Sequence, residues 1–357
     1  VRIIPYSLSL ALVLCWAARA WAIDPYAGND PYWVLLHEPA VIDELKLTPE
    51  QKASYRDRLD QLDLQFFALR NKPQQEARAG AAAIISEART FMSSHLGPAK
   101  NKRLSEILLH RAGTPGLLGE EAAKQLRQTD PQRKRIAEIV EETRIAVAEV
   151  EKDLNAGKPR EPLDNRFAEL KRDEQKKIQD LLEPGQRTAW KKMLGLPFDL
   201  SNLGRPAFKA PEWVDTGDWI NSTPLQLKAL RGKVVVVHFY AFGCINCIRN
   251  YPSYRAWHDR FKDQGVVVVG IHTPETANEK ESENVRRKSV EDKFAFPVLI
   301  DGKNENWNAW GNSMWPSVYL IDKRGYLRHF WPGELNWQGA KGEEYMRQQI
   351  ESLIAEK

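Results

Sequence analysis

Val234-Val235-Val236-Val237-His238-Phe239-Tyr240, an apolar run of strand character, leads through Ala241 into Phe242-Gly243-Cys244-Ile245-Asn246-Cys247 and then into an amphipathic stretch. A strand that ends in C-x-x-C and opens a helix puts the first cysteine among unpaired backbone amides, where the helix dipole stabilises a thiolate. A thiolate attacks a disulfide; a thiol barely does. The second cysteine, one turn on, is placed to resolve the mixed disulfide. Cys244 is the expected nucleophile and Cys247 the expected resolving thiol. Cys15, the only other cysteine, lies in a segment that reads as a signal peptide, so the mature chain would carry one dithiol and no other thiol. Three other readings stay open at this point. One is a structural disulfide, although so short a loop constrains the unfolded chain little. Another is half of a zinc site, although no second cysteine pair exists. The third is copper delivery with His238, His258 or His272.

The chain has 357 residues, 42% hydrophobic and 28% charged, which describes a soluble globular protein too long for one ordinary core. A formal net charge of +4, with no basic cluster interleaved with aromatics, argues against nucleic-acid binding. Residues 1–22 read as a secretory signal. Arg2 starts it, an apolar stretch runs from Leu8 to Ala18, and Ala20-Trp21-Ala22 has the A-x-A cleavage pattern. The competing reading is an uncleaved membrane anchor, for which the apolar run is short. Export, to the periplasm or an equivalent compartment, also fits the lack of surplus thiols.

From about Pro39 to Leu200 the sequence is helical in character. In 131–153, Ile136, Ile139, Val140, Val147 and Val150 recur at three- and four-residue spacings with Thr143 on the same face, which marks a core face. Leu47-Thr48-Pro49-Glu50-Gln51 and Thr129-Asp130-Pro131-Gln132 carry capping-box chemistry with proline in the first turn. Weaker echoes at Gly97-Pro98 and Pro184-Gly185-Gln186 suggest a duplicated unit of roughly 85 residues. The Leu-Thr-Pro-Glu-Gln element resembles the LTxxQ motif of exported helical proteins of the Spy/CpxP type. Gly195, Pro197, Gly204, Pro206 and Pro211 break the pattern and predict a boundary, giving a helical domain over 23–203 and an α/β domain over 204–357. In the latter, strands are expected at 233–240, 266–271, 297–300, 317–321 and 327–331. Helices are expected at 245–263, 282–293, 304–311 and 340–356, with a hairpin turn at Asp322 to Gly325.

Gly232-Lys233-Val234-Val235, the Cys244-Ile245-Asn246-Cys247 pair, Val269-Gly270-Ile271-His272-Thr273-Pro274-Glu275 and Trp315-Pro316-Ser317-Val318-Tyr319-Leu320-Ile321-Asp322 follow one another in the order of a known family. Through them residues 206–357 resemble the thioredoxin superfamily, specifically the exported TlpA/ResA-like thiol-disulfide oxidoreductases, and above all the thioredoxin-like portion of DipZ-type proteins. The resemblance implies a central mixed sheet flanked by helices, a cis-proline at Pro316 facing the dithiol, a helix kink at Pro252, and extra structure between strands at 272–300. It also implies a substrate groove that includes Phe242, Trp315 and Pro316. His238 stands where thioredoxins bury an acidic proton acceptor, so its imidazole is a candidate to take the proton of Cys247. A satisfied core histidine is the alternative. Glu275 is a second proton-transfer candidate. The motif departs from thioredoxin itself in Phe242-Gly243 before the first cysteine and Ile245-Asn246 between the two.

Most of Trp307, Trp310, Trp315, Trp331 and Trp337 should be packing residues, with one or two lining a groove for an apolar segment. The reading is an exported enzyme that reduces protein disulfides through Cys244 and Cys247. It needs no metal and no cofactor beyond that redox-active pair, and it would be recycled by a separate membrane electron donor. The other class considered is an envelope binding or stress-sensing scaffold whose helical region recognises a partner, with the redox domain as a switch. Ile245 and Asn246 add no charge to the helix start. The redox potential is therefore expected nearer the roughly −270 mV of thioredoxin than the roughly −120 mV of a strong oxidant.

Overall fold

The computed structural model describes residues 30–204 and 206–356; the signal sequence expected at 1–22, with Cys15, lies outside them. The chain opens with α1 (Pro31–Leu36) and α2 (Pro39–Glu44), followed by α3 (Pro49–Phe67) and α4 (Gln74–Ala112). Then come α5 (Glu120–Gln125), α6 (Asp130–Asn155), α7 (Arg160–Leu181) and α8 (Pro184–Leu194). The α/β part runs β1 (Phe208–Lys209), β2 (Trp219–Ile220), β3 (Val234–Tyr240), α9 (Ile245–Phe261), β4 (Val266–His272), α10 (Ser282–Glu291) and β5 (Val298–Ile300). It ends with α11 (Glu305–Ala309), β6 (Ser317–Ile321), β7 (Tyr326–Pro332) and α12 (Gly342–Ala355).

The described residues form two compact units, one of 30–48 with 92–204, the other of 49–91 with 206–356. In the first, α6 and α7 make a hairpin whose facing stripes bury Ile136, Ile139, Ile178 and Leu182 with Leu117 and Leu126. A second small cluster forms around Val150 and Phe167. The helix starts carry the chemistry expected of them. Thr129 and Gln132 form a reciprocal capping box on α6, and Glu183 and Gln186 form one on α8. The two capping glutamines also bond each other at 3.0 Å, so both starts are fixed by one polar knot. Pro49, Pro98, Pro131 and Pro184 all stand in helical segments, and α4 is broken at Gly97, whose φ of 73° only glycine adopts freely.

The second unit is built on a seven-stranded sheet in the order β1-β7-β6-β3-β4-β5-β2. The β3/β4 and β4/β5 pairs are parallel. The β3/β6, β6/β7, β1/β7 and β2/β5 pairs are antiparallel. β3 is buried along its whole length, which is why it reads as an unbroken valine run rather than an alternating one. Alternate side chains go to opposite faces. Val234, Val236 and Tyr240 join Tyr251, Tyr254, Trp257 and Phe261 of α9 and Met346, Ile350 and Leu353 of α12 in one core. Phe239 goes to the other face, where it meets Trp310 at 5.6 Å and Tyr319 at 5.9 Å between ring centroids.

That second aromatic layer is completed from far away in the sequence. Phe67 of α3 lies 6.2 Å from Trp310. Arg70 donates to the Trp310 carbonyl at 2.9 Å and to the Tyr319 hydroxyl at 3.0 Å, with its guanidinium 4.6 Å from the Phe330 ring. Buried Asp63 accepts the Lys209 amide at 2.7 Å, and Asp60 accepts the Tyr326 hydroxyl at 2.9 Å. Residues 49–91 therefore act as a covering layer of the α/β unit, a role their helical sequence does not announce. Among the described residues no helix is long and apolar enough to cross a membrane.

Candidate functional site

β3 ends at Tyr240, the chain turns through Ala241 to Gly243, and α9 starts at Ile245 with Cys244 in the N-cap position. No side chain caps this helix start. The Cys244 amide donates to the Ala241 carbonyl at 3.2 Å, and the Cys244 carbonyl accepts the amides of Cys247 and Ile248, each at 3.0 Å. The turn is thus fixed by backbone bonds and the thiol is left for chemistry. Both cysteines are free thiols; Cys244 is half-buried and Cys247 wholly buried.

The two thiols are set apart by their surroundings. Cys244 is pulled down to about 7, chiefly by the Cys247 thiol hydrogen-bonding to its thiolate, with the amides of Cys247 and Asn246 helping; burial and the Glu275 charge work against them. Cys247 is pushed far up by burial and by donating that same hydrogen bond, with Glu275 adding to the rise. At neutral pH the pair is one exposed, half-ionised nucleophile and one protonated thiol behind it.

The structure separates the two proton-transfer candidates. His238 is completely buried, and its ring stacks on Tyr254 at 4.1 Å and meets Phe296 edge-on at 5.3 Å. Neither ring nitrogen has a hydrogen-bond partner among the described residues. Burial alone pushes it down to about 3, so it is neutral. Glu275 lies exposed in the turn after β4, and its charge acts on both thiols.

The expected groove residues gather beside the dithiol core. Phe242 stacks on His272 at 5.4 Å. Trp315, whose bond to Pro316 is cis, donates to the Thr273 carbonyl at 3.1 Å and stacks on Trp307 at 4.0 Å. Trp315 and Cys244 both pack at the margin of the same core. Ile245, Ile248 and Met314, sequence neighbours of the dithiol and of Trp315, are exposed. The histidines named for copper delivery form no metal cluster, and none occurs among the described residues.

One residue of the site escaped sequence reasoning. Glu279, 1% exposed, accepts the Gly243 amide on Oε1 at 2.7 Å. Its Oε2 accepts the amides of Glu275 at 2.8 Å and Thr276 at 2.7 Å, and the Thr276 hydroxyl at 3.0 Å. Burial works to raise this carboxyl, but the four donors hold it below the usual carboxylate range. A Cβ at position 243 would stand 3.0 Å from Oε1, so the glycine before the nucleophile permits the approach. The spacing Thr276-x-x-Glu279 is a capping-box signature; it signals a helix start, not a bond to the active-site turn.

Comparison with known proteins fits this geometry. The model of the AhpC/TSA family matches residues 205–330. Protein DipZ of Mycobacterium tuberculosis is 40% identical over 128 residues, which are 35% of this chain and 18% of that protein. The thiol-disulfide oxidoreductase YkuV of Bacillus subtilis is 24% identical over 146 residues, 41% of this chain and 94% of that one. Among solved structures, the thioredoxin-like superfamily protein SPOA0173 is 28% identical, with a TM-score of 0.37 over 42% of this chain and 97% of its own. The chain spans less than a fifth of the length of the DipZ proteins it matches. Residues 205–330 thus belong to the AhpC/TSA family, as a thioredoxin-like domain of the TlpA/ResA-like thiol-disulfide oxidoreductase kind.

Proposed function

We propose that the protein is an exported thiol-disulfide oxidoreductase that reduces protein disulfides. The observation that carries this reading is the asymmetry of the dithiol: Cys244 half-exposed and lowered to about 7 at an uncapped helix start, Cys247 buried and protonated behind it. The Cys244 thiolate attacks one sulfur of a substrate disulfide, forming a mixed disulfide and expelling the other sulfur as a thiolate. Cys247 then loses its proton and attacks Cys244 Sγ, which releases the second substrate sulfur. Two electrons pass to the substrate, and the enzyme is left as the Cys244–Cys247 disulfide. Glu275, the charge that acts on both thiols, takes the Cys247 proton; His238, neutral and stacked on Tyr254, holds the core behind it. Phe242, Trp315 and Pro316 form the wall against which an extended substrate segment lies.

Export rests on the sequence of residues 1–22, and a separate membrane donor is needed to return the electrons. The module that does this chemistry is 204–357, with residues 49–91 as its covering layer. Turnover with insulin and dithiothreitol tests the reading. The wild-type protein should accelerate insulin reduction and Cys244→Ser should abolish the acceleration, a loss of more than about 10³-fold. No acceleration by the wild-type protein would overturn it.

A further inference from the structure

The two oxygens of Glu279 serve two different loops. Oε1 has one donor, the amide of Gly243 immediately before the nucleophile. Oε2 holds the turn after β4 through the amides of Glu275 and Thr276 and the Thr276 hydroxyl. No helix or strand joins these loops directly: Gly243 follows β3, whereas Glu275 follows β4. One buried side chain therefore sets the distance between the turn that carries Cys244 and the turn that carries Glu275. We propose that Glu279 is a positioning residue that couples Glu275 to the dithiol, holding the nucleophile's turn and the base's turn on the two oxygens of one carboxylate. The proposal rests on the reading of Cys244 and Cys247 as a reducing pair with Glu275 as base.

The titratable groups around this tie are Cys244 and Cys247 at the start of α9, His272 at the end of β4, Glu275 itself, and Tyr240 and Tyr251 behind the thiols. His272 is pushed down to about 4 by burial, against the pull of Glu279. Burial pushes both tyrosines up. Between about pH 5 and 9 the charges that matter to Cys244 are thus its own, that of Glu275 and that of the fixed Glu279 carboxylate.

A double-mutant cycle tests the coupling, read as the pH profile of iodoacetamide alkylation of the reduced full-length protein. Glu275→Gln should raise the rate at about pH 6 by about threefold, since a like charge leaves the neighbourhood of the thiolate. In a Glu279→Gln background, where one amide oxygen cannot accept from both loops, the same change should raise it by less than about 1.5-fold. Glu279→Asp keeps the charge but is one methylene shorter; it should also lose the coupling, and it serves where Glu279→Gln does not fold. The same factor for Glu275→Gln in all backgrounds, or no effect of Glu275→Gln in the wild type, would overturn the proposal. Alkylation needs only a reactive Cys244. Intact coupling without insulin turnover would sink the functional reading alone, and normal turnover with additive substitutions would sink this inference alone.

Discussion

The starts of α6 and α9 are built from the same backbone parts and put to opposite uses. At α6 the Thr129 side chain accepts the Gln132 amide, and the Gln132 side chain accepts the Thr129 amide. Gln132 also locks onto Gln186, and the end of the helix is chemically satisfied. At α9 the residue in the capping position is Cys244, no side chain closes the end, and the amides of Asn246 and Cys247 are left to stabilise a thiolate. A helix end whose donors are occupied is architecture. One whose donors are kept for a thiolate is a reactive site, and the sulfur that supplies the strongest support, Cys247, comes from the same turn.

The comparison can be broken most severely at Cys247. Cys247→Ala removes both the resolving thiol and the hydrogen bond that most lowers Cys244. Insulin turnover should fall by more than about 10²-fold while a covalent complex with substrate accumulates, and alkylation at about pH 6 should slow by about tenfold as the Cys244 pKa returns toward ~8.5. Equal alkylation profiles for variant and wild type would show that the helix end alone sets the reactivity.

A second effect separates the two regions by pH. His238 and His272 are held neutral by burial, down to about 3 and about 4, whereas in the unfolded chain they ionise near 6.5. Between those values the unfolded chain binds more protons than the folded one, so stability is full above about pH 6.5 and falls as the pH drops toward 4. The loss should be on the order of 2 kcal/mol per histidine. His238→Phe should flatten the decline when urea midpoints are compared at pH 7 and pH 4.5; an unchanged slope would place a polar partner on the imidazole.

The smallest expected effect lies at the satisfied end. Thr129→Ala should cost about 1 kcal/mol in urea unfolding and leave the alkylation profile of Cys244 untouched. A change in that profile would mean that the two helix ends are not independent.

Much of this fold was legible because its elements are long and strongly patterned. β6 spans the residues expected of it, and β3, β4, β5 and β7 fall within a residue of theirs. The expected 245–263 helix ends as α9 with a further 3-10 turn. β1 and β2 were not legible, since two residues carry no periodicity and exist as strands only through pairing with β7 and β5. α1 was passed over although Asp30-Pro31 is a helix-start signature and the Asp30 side chain does accept the Tyr32 amide. At the site, Cys244 and Cys247 were legible from spacing. Phe242 and Trp315 were placed by resemblance, and the His272 ring stacked on Phe242 went unread.

The sequence by itself determined the dithiol at a strand-to-helix junction, the cap chemistry of α6 and α8, and the alternation that makes an α/β unit. Each of these depends on residues within a few positions of one another, where covalent geometry fixes the distances. Only the tertiary structure decided the rest. It brought Glu279 to Gly243 across 36 positions and seated Arg70 under Tyr319 across 249. It buried His238 among aromatic rings too deeply to hold a proton while leaving Glu275 at the surface beside the thiols. Burial and through-space charge depend on which distant segments meet, and it is these, rather than residue identity, that assign a histidine to the core and a glutamate to the chemistry.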